Sequence, residues 1–140
     1  MSKIAVVYWS GTGNTAAMAD LVAVGAKEKG ATVDLLESSA FDSGKLAGYD
    51  AVAFGCPSMG AEQLEESEFE PMFTALEGRL TGKKLALFGS YGWGDGQWMR
   101  DWQQRCNDAG AALVADGLAV CGSPAGKDAE SCTDLGRALA

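Results

Sequence analysis

A loop rich in hydroxyl groups and glycines follows the first apolar segment of the chain and has the composition of a phosphate site. The loop comes directly after the apolar residues 4–7 and consists of Ser10, Gly11, Thr12, Gly13, Asn14 and Thr15. Backbone N–H groups in such a loop, and at the N-terminus of a following helix, direct positive charge density toward an anion. The three hydroxyls and the Asn14 amide can add hydrogen bonds, and the glycines allow close approach of the backbone. We therefore predict a phosphate-binding loop, the alternative being that its glycines serve the turn alone.

The loop lacks the features of the common nucleotide-binding motifs. A Walker loop needs a Lys followed by Ser or Thr, and no Lys or Arg lies between residues 10 and 15. The dinucleotide pattern G-x-G-x-x-G is also unmet, because the stretch that starts at Gly11 ends in Ala16. A neutral loop of this kind suits one terminal phosphomonoester, bound without a counter-charge.

Apolar segments of strand and helix type alternate along the rest of the chain. They predict strands at residues 3–9, 32–36, 51–55, 85–89 and 112–120, and helices at residues 14–29, about 71–79, 97–109 and 128–139. The last strand is expected to be interrupted at Asp116 and Gly117, and a short helical turn is possible within residues 38–48. For the second helix, Ser67 to Glu70 match a capping box, whereas Pro71 is better placed as the first residue of the helix. Both starting points stay open. The pattern indicates a single α/β domain over residues 1–140, with a doubly wound five-stranded parallel sheet and helices on both faces.

Ligands of such sheets bind beyond the carboxyl ends of the strands. Three unusual loops are predicted at that edge: residues 10–15, 56–62 and 90–96. The third loop places Trp93 between two glycines, where an indole suits stacking against a planar heterocycle, worth roughly 1–3 kcal/mol. Trp98 and Trp102 are spaced as helical packing residues. Together the three loops predict one binding site.

Composition narrows the classes of partner and chemistry. The net charge of −8 disfavours nucleic acid and favours basic protein surfaces. The chain has no histidine and its four cysteines form no C-x-x-C pair, so a metal site and a His-assisted nucleophile are not expected, and the cysteines are predicted to be reduced thiols. No apolar run approaches the ~20 residues of a membrane span. Since no signal peptide is evident at residues 1–3, we expect a cytoplasmic protein. We also expect it to be a monomer.

Three segments, residues 8–15, 55–60 and 88–96, resemble the flavodoxins of the short-chain bacterial kind, and the resemblance covers essentially the whole chain. It implies strand order 2-1-3-4-5 and one non-covalently bound FMN. It also implies low-potential one-electron transfer, in which the cofactor shuttles between semiquinone and hydroquinone.

The resemblance also implies roles for individual residues. Residues 10–15 would hold the FMN phosphate, and Met59 and Trp93 would sandwich the flavin ring. Further cofactor contacts would come from Pro57, Ser58, Gly60, Ala61, Glu62, Ser90, Tyr91 and Gly92, with Glu62 accepting from the ring N3–H and the last three shaping the pyrimidine end. The chain departs from the family at Pro57, where some relatives have a Ser, and at Gly122, where an Asn is often found.

Two features of the second loop bear on the redox chemistry. Glycine at position 60 would allow the peptide to turn its carbonyl toward the flavin N5 on one-electron reduction, separating the two redox steps. The glutamates Glu62, Glu65, Glu66, Glu68 and Glu70 would disfavour the anionic, fully reduced ring and present an acidic face to partners.

The sequence thus predicts an electron carrier, not an enzyme, whose partners are basic surfaces of reductases and ferredoxin-dependent enzymes. The alternative is a small FMN-dependent NAD(P)H oxidoreductase, which needs a pocket for a second cofactor. A phosphorelay receiver domain is set aside, because Trp9 and Ser10 stand where its acidic pair would lie and Pro57 follows Cys56 where its Asp is needed. A low-molecular-weight phosphatase would need C-x₅-R in the first loop, which is absent.

Overall fold

Six parallel strands form one twisted sheet in the computed structural model, which describes residues 2–140. The strands are β1 (Lys3–Tyr8), β2 (Thr32–Glu37), β3 (Ala51–Gly55), β4 (Lys84–Tyr91), β5 (Ala112–Leu113) and β6 (Leu118–Cys121). Their order is β2-β1-β3-β4-β5, with β6 also paired to β4. The helices are α1 (Asn14–Glu28), α2 (Ser43–Leu46), α3 (Phe69–Leu76), α4 (Gln97–Asp108) and α5 (Lys127–Leu139), with 3-10 turns at Ser38–Ala40 and Glu77–Arg79. The predicted fold class and strand order are confirmed, with a sixth strand added.

The sixth strand arises because the predicted fifth strand is broken where the sequence suggested. β5 and β6 both pair with β4, and the chain leaves the ladder after the Val114 amide, which still donates to the Leu85 carbonyl at 2.9 Å. There the Gly117 amide donates to the Gln103 side chain of α4 at 2.6 Å instead of to a strand. A Cβ at Gly117 would lie 2.5 Å from the Met99 sulfur, so α4 approaches this backbone closely. The interruption predicted at Asp116 and Gly117 is therefore present, and it divides the predicted fifth strand into two separate strands.

The two faces of the sheet are covered by different kinds of packing. On one face, Ala5 and Val7 of β1 lie in one apolar cluster with residues of α3 and α4. There Phe54 of β3 and Trp102 of α4 each meet Phe69 and Phe73 of α3 edge to face, while Phe69 and Phe73 stack on each other. Each such ring contributes roughly 1.5–3 kcal/mol by leaving water. On the other face Ile4 and Val6 pack under α1 and α5. The alternation of β1 side chains thus sets which helices lie on which face.

Close contact between α1 and α5 depends on two glycines. A Cβ at Gly25 would lie 1.9 Å from the Thr133 carbonyl oxygen, and one at Gly136 would lie 2.0 Å from the Val22 carbonyl oxygen. Any larger residue would force the helices apart, so these glycines fix the position of α1 over the sheet. Within residues 2–140, no helix combines the length and apolar character needed to cross a bilayer.

The start of α3 differs from both sequence alternatives. The helix begins at Phe69, and the side chain that accepts its first amides belongs to Glu65, four residues earlier. The Ser67–Glu70 capping box is therefore wrong, and so is a start at Pro71, which instead occupies the third helical position. That position tolerates Pro because first-turn N–H groups have no partner within the helix.

Candidate functional site

A cleft of about 270 Å³ lies at the carboxyl edge of the sheet, where the loops after β1, β3, β4 and β6 meet. Its walls are Trp9, Ser10, Gly11, Thr12, Asn14, Thr15, Pro57, Ser58, Met59, Ser90, Tyr91, Gly92 and Gly122. The three predicted loops therefore come together around one cavity. No basic side chain is part of this lining, so the cleft is neutral.

Most of the residues predicted as site residues line the cleft, and five do not: Gly13, Gly60, Ala61, Glu62 and Trp93. The cleft also includes Trp9 and Gly122, which were not among the predicted contacts. The one sequence signal for Trp9 was its position directly before the phosphate loop. For Gly122 the signal was its departure from the family pattern.

The N-terminus of α1 opens into this cleft without an anion of its own. Its N-cap is Gly13, with no side-chain cap and no acidic residue in the first turn. Each other helix in the described chain has a carboxylate at its start: Asp42 for α2, Glu65 for α3, Glu62 for α4, and Asp128 and Glu130 for α5. Since uncompensated N-terminal amides attract anions, α1 is the helix left available for a ligand.

The loop before α1 is held in shape by its own side chains. The Ser10 Oγ accepts from the Gly13 amide at 3.1 Å, which closes the turn and leaves the hydroxyl proton free to donate outward. The Trp9 indole packs over Gly11, where a Cβ would lie 3.1 Å from the ring. Its Nε1 donates to the Glu68 carboxylate at 3.0 Å. A side chain at position 11 would therefore push against the Trp9 indole, which favours glycine there.

Ser90 connects the loops that form the cleft. Its amide donates to the Thr15 hydroxyl at 3.4 Å, its carbonyl accepts from the Ser58 amide at 3.1 Å, and its hydroxyl donates to the Gly122 carbonyl at 2.6 Å. Ser90 and Thr15 are both buried. Because Thr15 accepts from Ser90, its own hydroxyl proton remains available to a ligand.

The segment after β3 forms a narrow hairpin. Met59 and Gln63 exchange backbone hydrogen bonds of 2.8 and 2.9 Å, and the three residues between them make the turn. Gly60 has φ 51° and Glu62 has φ 53°, which makes Glu62 the single non-glycine residue with a positive φ in the described chain. That conformation costs a glutamate roughly 1–2 kcal/mol.

The Glu62 side chain ties this hairpin to the loop that carries Trp93. Its Oε1 accepts from the Gln97 amide, the first of α4, at 3.0 Å. A Cβ at Gly94 would lie 2.7 Å from the Glu62 carboxyl carbon, so the two loops touch. Glu62, which was predicted to accept from the flavin N3–H, therefore caps the N-terminus of α4 in this structure.

Two large apolar side chains are exposed at the edge of the cleft. Trp93 is 64% exposed and Met59 is 37% exposed, although water is a poor environment for either. Trp98, in contrast, is 1% exposed and donates from Nε1 to the Cys56 carbonyl at 3.1 Å, so its prediction as a packing residue agrees with the structure. Exposed rings beside a cleft are typical of ligand contacts.

Four of the five glutamates that were predicted to form the acidic face have structural partners. Besides Glu62 and Glu68, the half-buried Glu70 makes a two-pronged ion pair with Arg105 at 2.8 and 2.9 Å. Glu65 is buried and accepts from the amides of Ser67, Glu68 and Phe69 at 2.7–2.8 Å. Burial by itself raises the pKa of Glu65, but these hydrogen bonds outweigh it and hold the pKa below its usual value. Glu65 is therefore a carboxylate at neutral pH.

The cysteines take no part in this cleft. Within the described residues all four are free thiols, and Cys56, Cys106 and Cys132 are buried. Burial raises the pKa of Cys132 to about 11, so this thiol stays protonated at neutral pH. The prediction of reduced thiols agrees with this geometry.

Comparison with known families bears on the same residues. The sequence profile of the family described as flavodoxin matches residues 6–136. The chain belongs to the flavodoxin family. Members of this family are FMN-binding electron-transfer proteins that pass electrons to redox partner proteins. The predicted family, cofactor and general function are thereby confirmed.

Individual flavodoxins are similar over almost the full chain. The flavodoxin of Clostridium beijerinckii is 45% identical over 96% of this chain and 97% of its own, and that of Megasphaera elsdenii is 44% identical over 98% of both. The solved structure of two-electron reduced Megasphaera elsdenii flavodoxin superposes with a TM-score of 0.88, covering 97% of each chain. A flavodoxin structure from the domain Archaea, 27% identical, covers 98% of this chain and 95% of its own with a TM-score of 0.87.

Replacement of Glu65 by Gln tests its role as the cap of α3. Because the folded-state pKa is lowered, the carboxylate stabilises the protein above its unfolded pKa of about 4.3, and this contribution is lost as pH falls below that value. We expect E65Q to lower the free energy of unfolding by about 2 kcal/mol at pH 7, and by less near pH 4. Urea unfolding at both pH values measures this. The neighbouring exposed E66Q is the control, and equal effects of the two substitutions at pH 7 would contradict the assignment.

Proposed function

We propose that this chain is an electron carrier that binds one FMN in the cleft and passes single electrons at low potential to redox partner proteins. The observation that carries the proposal is the open N-terminus of α1 inside a neutral, hydroxyl-lined cleft whose edge exposes an indole. The bound FMN supplies the one-electron chemistry. The chain's own residues anchor it, orient it and set its surroundings.

The donors around α1 fit a phosphomonoester. Ser10, Thr12 and Thr15 supply hydroxyl groups, Asn14 supplies an amide, and the first-turn amides of α1 lack protein acceptors. A dianion can take up all of these without a competing carboxylate. We assign the phosphate to residues 10–15, with Gly11 and Gly13 shaping the loop.

The opposite part of the site fits a flat, largely apolar ring. Met59 and Trp93 expose apolar surface at the edge of the cleft, and Ser90, Tyr91 and Gly92 line its floor. Stacking on Trp93 is worth roughly 1–3 kcal/mol. Pro57, Ser58, Gly60, Ala61 and Glu62 complete the proposed set of contacts, with Glu62 serving the ring through the carboxylate oxygen that Gln97 leaves free.

The acidic surroundings favour a low potential. One carboxylate about 10 Å from the ring disfavours added negative charge by roughly 0.4–0.8 kcal/mol, and several act together. The carboxylates need not be free for this effect, since capped and paired glutamates keep their charge, although Arg105 offsets part of it for Glu70. The net charge of −8 suits basic docking surfaces such as those of reductases and ferredoxin-dependent enzymes.

We also propose that the protein is a monomer with a single FMN-binding domain over residues 1–140. Its cytoplasmic location stays a prediction.

Substitution of Asn14 by Asp tests the phosphate assignment. Asp at the first position of α1 favours the helix by about 0.3–1 kcal/mol, so the protein should fold, but its carboxylate repels a phosphate dianion. We expect the Kd for FMN to rise about 100-fold or more while the Kd for riboflavin, which has no phosphate, stays the same. Fluorescence titration measures both. Equal losses for the two flavins would show that the phosphate lies elsewhere.

Substitution of Gly60 by Val tests the proposed turn of the Gly60 peptide. A carbonyl that turns toward the ring stabilises a protonated N5, and a β-branched residue at φ 51° restricts this freedom. We expect the separation between the two one-electron potentials of bound FMN to shrink by roughly 50–100 mV, since 59 mV is tenfold for one electron. Spectroelectrochemical titration measures both potentials. An unchanged separation in G60V would rule the role out.

A direct assay separates the carrier from the alternative, a small FMN-dependent NAD(P)H oxidoreductase. We expect stoichiometric NADPH or NADH added anaerobically to the FMN-loaded protein to leave the oxidised flavin spectrum unchanged over minutes. A basic one-electron donor protein should reduce it, at a rate that falls steeply with salt. Rapid bleaching by the nicotinamide alone would favour the oxidoreductase.

A further inference from the structure

The Trp9 side chain lines the cleft and also a second, smaller cavity. The cleft measures about 270 Å³ and the small cavity about 80 Å³, and Trp9 belongs to the walls of both. The indole is half-buried and packs against the apolar cluster that contains α3 and α4. An unfilled space beside a ring offers no contacts that would hold it in place. Something other than packing must therefore fix the ring on the side of the small cavity.

Two contacts hold the indole over the phosphate loop. A Cβ at Gly11 would lie 3.1 Å from Cη2 and 3.3 Å from Cζ3 of the indole, so the six-membered ring covers the Gly11 backbone. Nε1, on the five-membered ring, donates to Oε2 of Glu68 at 3.0 Å, which is the one hydrogen bond of this side chain within residues 2–140. The Trp9 amide is fixed separately, since it donates to the Gly55 carbonyl at 3.0 Å. Loss of the Glu68 contact would thus release the ring and leave the backbone in place.

The Glu68 carboxylate has no other partner within the described residues. Glu68 is the N-cap residue of α3, a position where Ser, Thr, Asp and Asn are the usual choices, yet its side chain makes no cap hydrogen bond. Glu65 accepts from the amides of Glu68 and Phe69 instead, and the Glu68 carbonyl accepts from the Met72 amide at 3.3 Å. The backbone of Glu68 is therefore held at both sides. Its carboxylate serves Trp9 rather than its own helix.

We propose that Glu68 is a positioning residue for the phosphate loop and acts through the Trp9 indole. The carboxylate holds the ring over Gly11, and the ring keeps the turn of residues 10–13 in the shape that receives the phosphate. The small cavity is the space into which the ring turns when Glu68 is lost. A loop that already has its bound shape loses less conformational entropy on binding. The inference rests on the proposed function, because it gives Glu68 a part in binding the FMN phosphate.

The charge of Glu68 and its hydrogen bond to Trp9 have opposite effects on FMN binding. A carboxylate repels a phosphate dianion, so removal of the charge alone should tighten binding. Removal of the acceptor should weaken binding, because the indole is released. E68Q removes the charge and keeps an oxygen that can accept from Trp9, whereas E68A removes both. A weaker E68A beside an unweakened E68Q therefore cannot be a charge effect.

Titration of the full-length chain with FMN and with riboflavin measures the effect. We expect E68A to raise the Kd for FMN about tenfold, as for the loss of one hydrogen bond to a charged acceptor, and to leave the Kd for riboflavin within about twofold of the wild-type value. E68Q should bind FMN at least as tightly as the wild-type protein. E66A is the control, because it removes a neighbouring exposed carboxylate without touching Trp9, and it should not weaken FMN binding.

The Trp9 indole N–H signal in NMR spectra of the FMN-loaded protein is a second readout. Its hydrogen exchange should be faster in E68A than in the wild-type protein and in E68Q, because the N–H has lost its acceptor. The signal of Trp98, which is buried and donates to the Cys56 carbonyl, should be unchanged and serves as the internal control. Unchanged exchange at Trp9 in E68A would overturn the inference.

The titrations separate this inference from the proposed function. Equal losses for FMN and riboflavin in E68A would give Glu68 a role in stability alone and overturn the inference. An unweakened FMN Kd in E68A, or an E68Q as weak as E68A, would also overturn it. Wild-type protein that binds FMN and riboflavin equally would overturn the proposed phosphate site, and this inference with it.

Discussion

The open N-terminus of α1 is the constraint on which the rest of the binding edge depends. Amides at a helix start attract negative charge. α2, α3 and α4 donate theirs to nearby carboxylates, and α5 carries Asp128 and Glu130 in its first turn. The strongly acidic chain has no acidic residue between positions 9 and 19, so α1 is the one helix of the described chain that starts without a nearby carboxylate. The close packing of α1 against α5 at Gly25 and Gly136 fixes where an anion bound at the start of α1 must lie relative to the sheet.

The cleft joins rigid and adaptable parts. Ser90 links the phosphate loop, the segment after β3 and the turn after β6 through three hydrogen bonds, which makes the floor of the cleft a connected unit. The Met59–Gln63 hairpin projects from this floor and is held to α4 through the strained Glu62. A backbone already at positive φ on both sides of Ala61 is a natural place for a peptide to change orientation. Different loops thus hold the phosphate firmly and leave the backbone beside the ring free to change its conformation.

Local patterns in the sequence were sufficient for most of the sheet and for most of the cleft. β3 was predicted to the residue and α1 to within one, because buried parallel strands read as continuous apolar runs and Gly30 marks the helix end at φ 88°. The three loops were placed at one edge because all parallel strands end there.

Long-range partnerships were beyond those patterns. Glu65 caps a helix that starts four residues later, Glu62 reaches the amide of Gln97, and Trp9 pairs with Glu68 across 59 positions. The sequence indicated an acidic face, and only the fold shows that most of its glutamates are engaged in caps and ion pairs.

Phosphorus NMR of FMN bound to this protein tests the central claim most directly, because it reports the charge of the phosphate itself. The second pKa of a free phosphomonoester is about 6. Hydrogen bonds to the dianion and the positive end of α1 both favour the charged form and so lower this pKa. We predict that the ³¹P shift of the bound cofactor stays constant between pH 8 and pH 5.5. A titration with a midpoint near 6, as in free FMN, would contradict the assignment of the phosphate to α1.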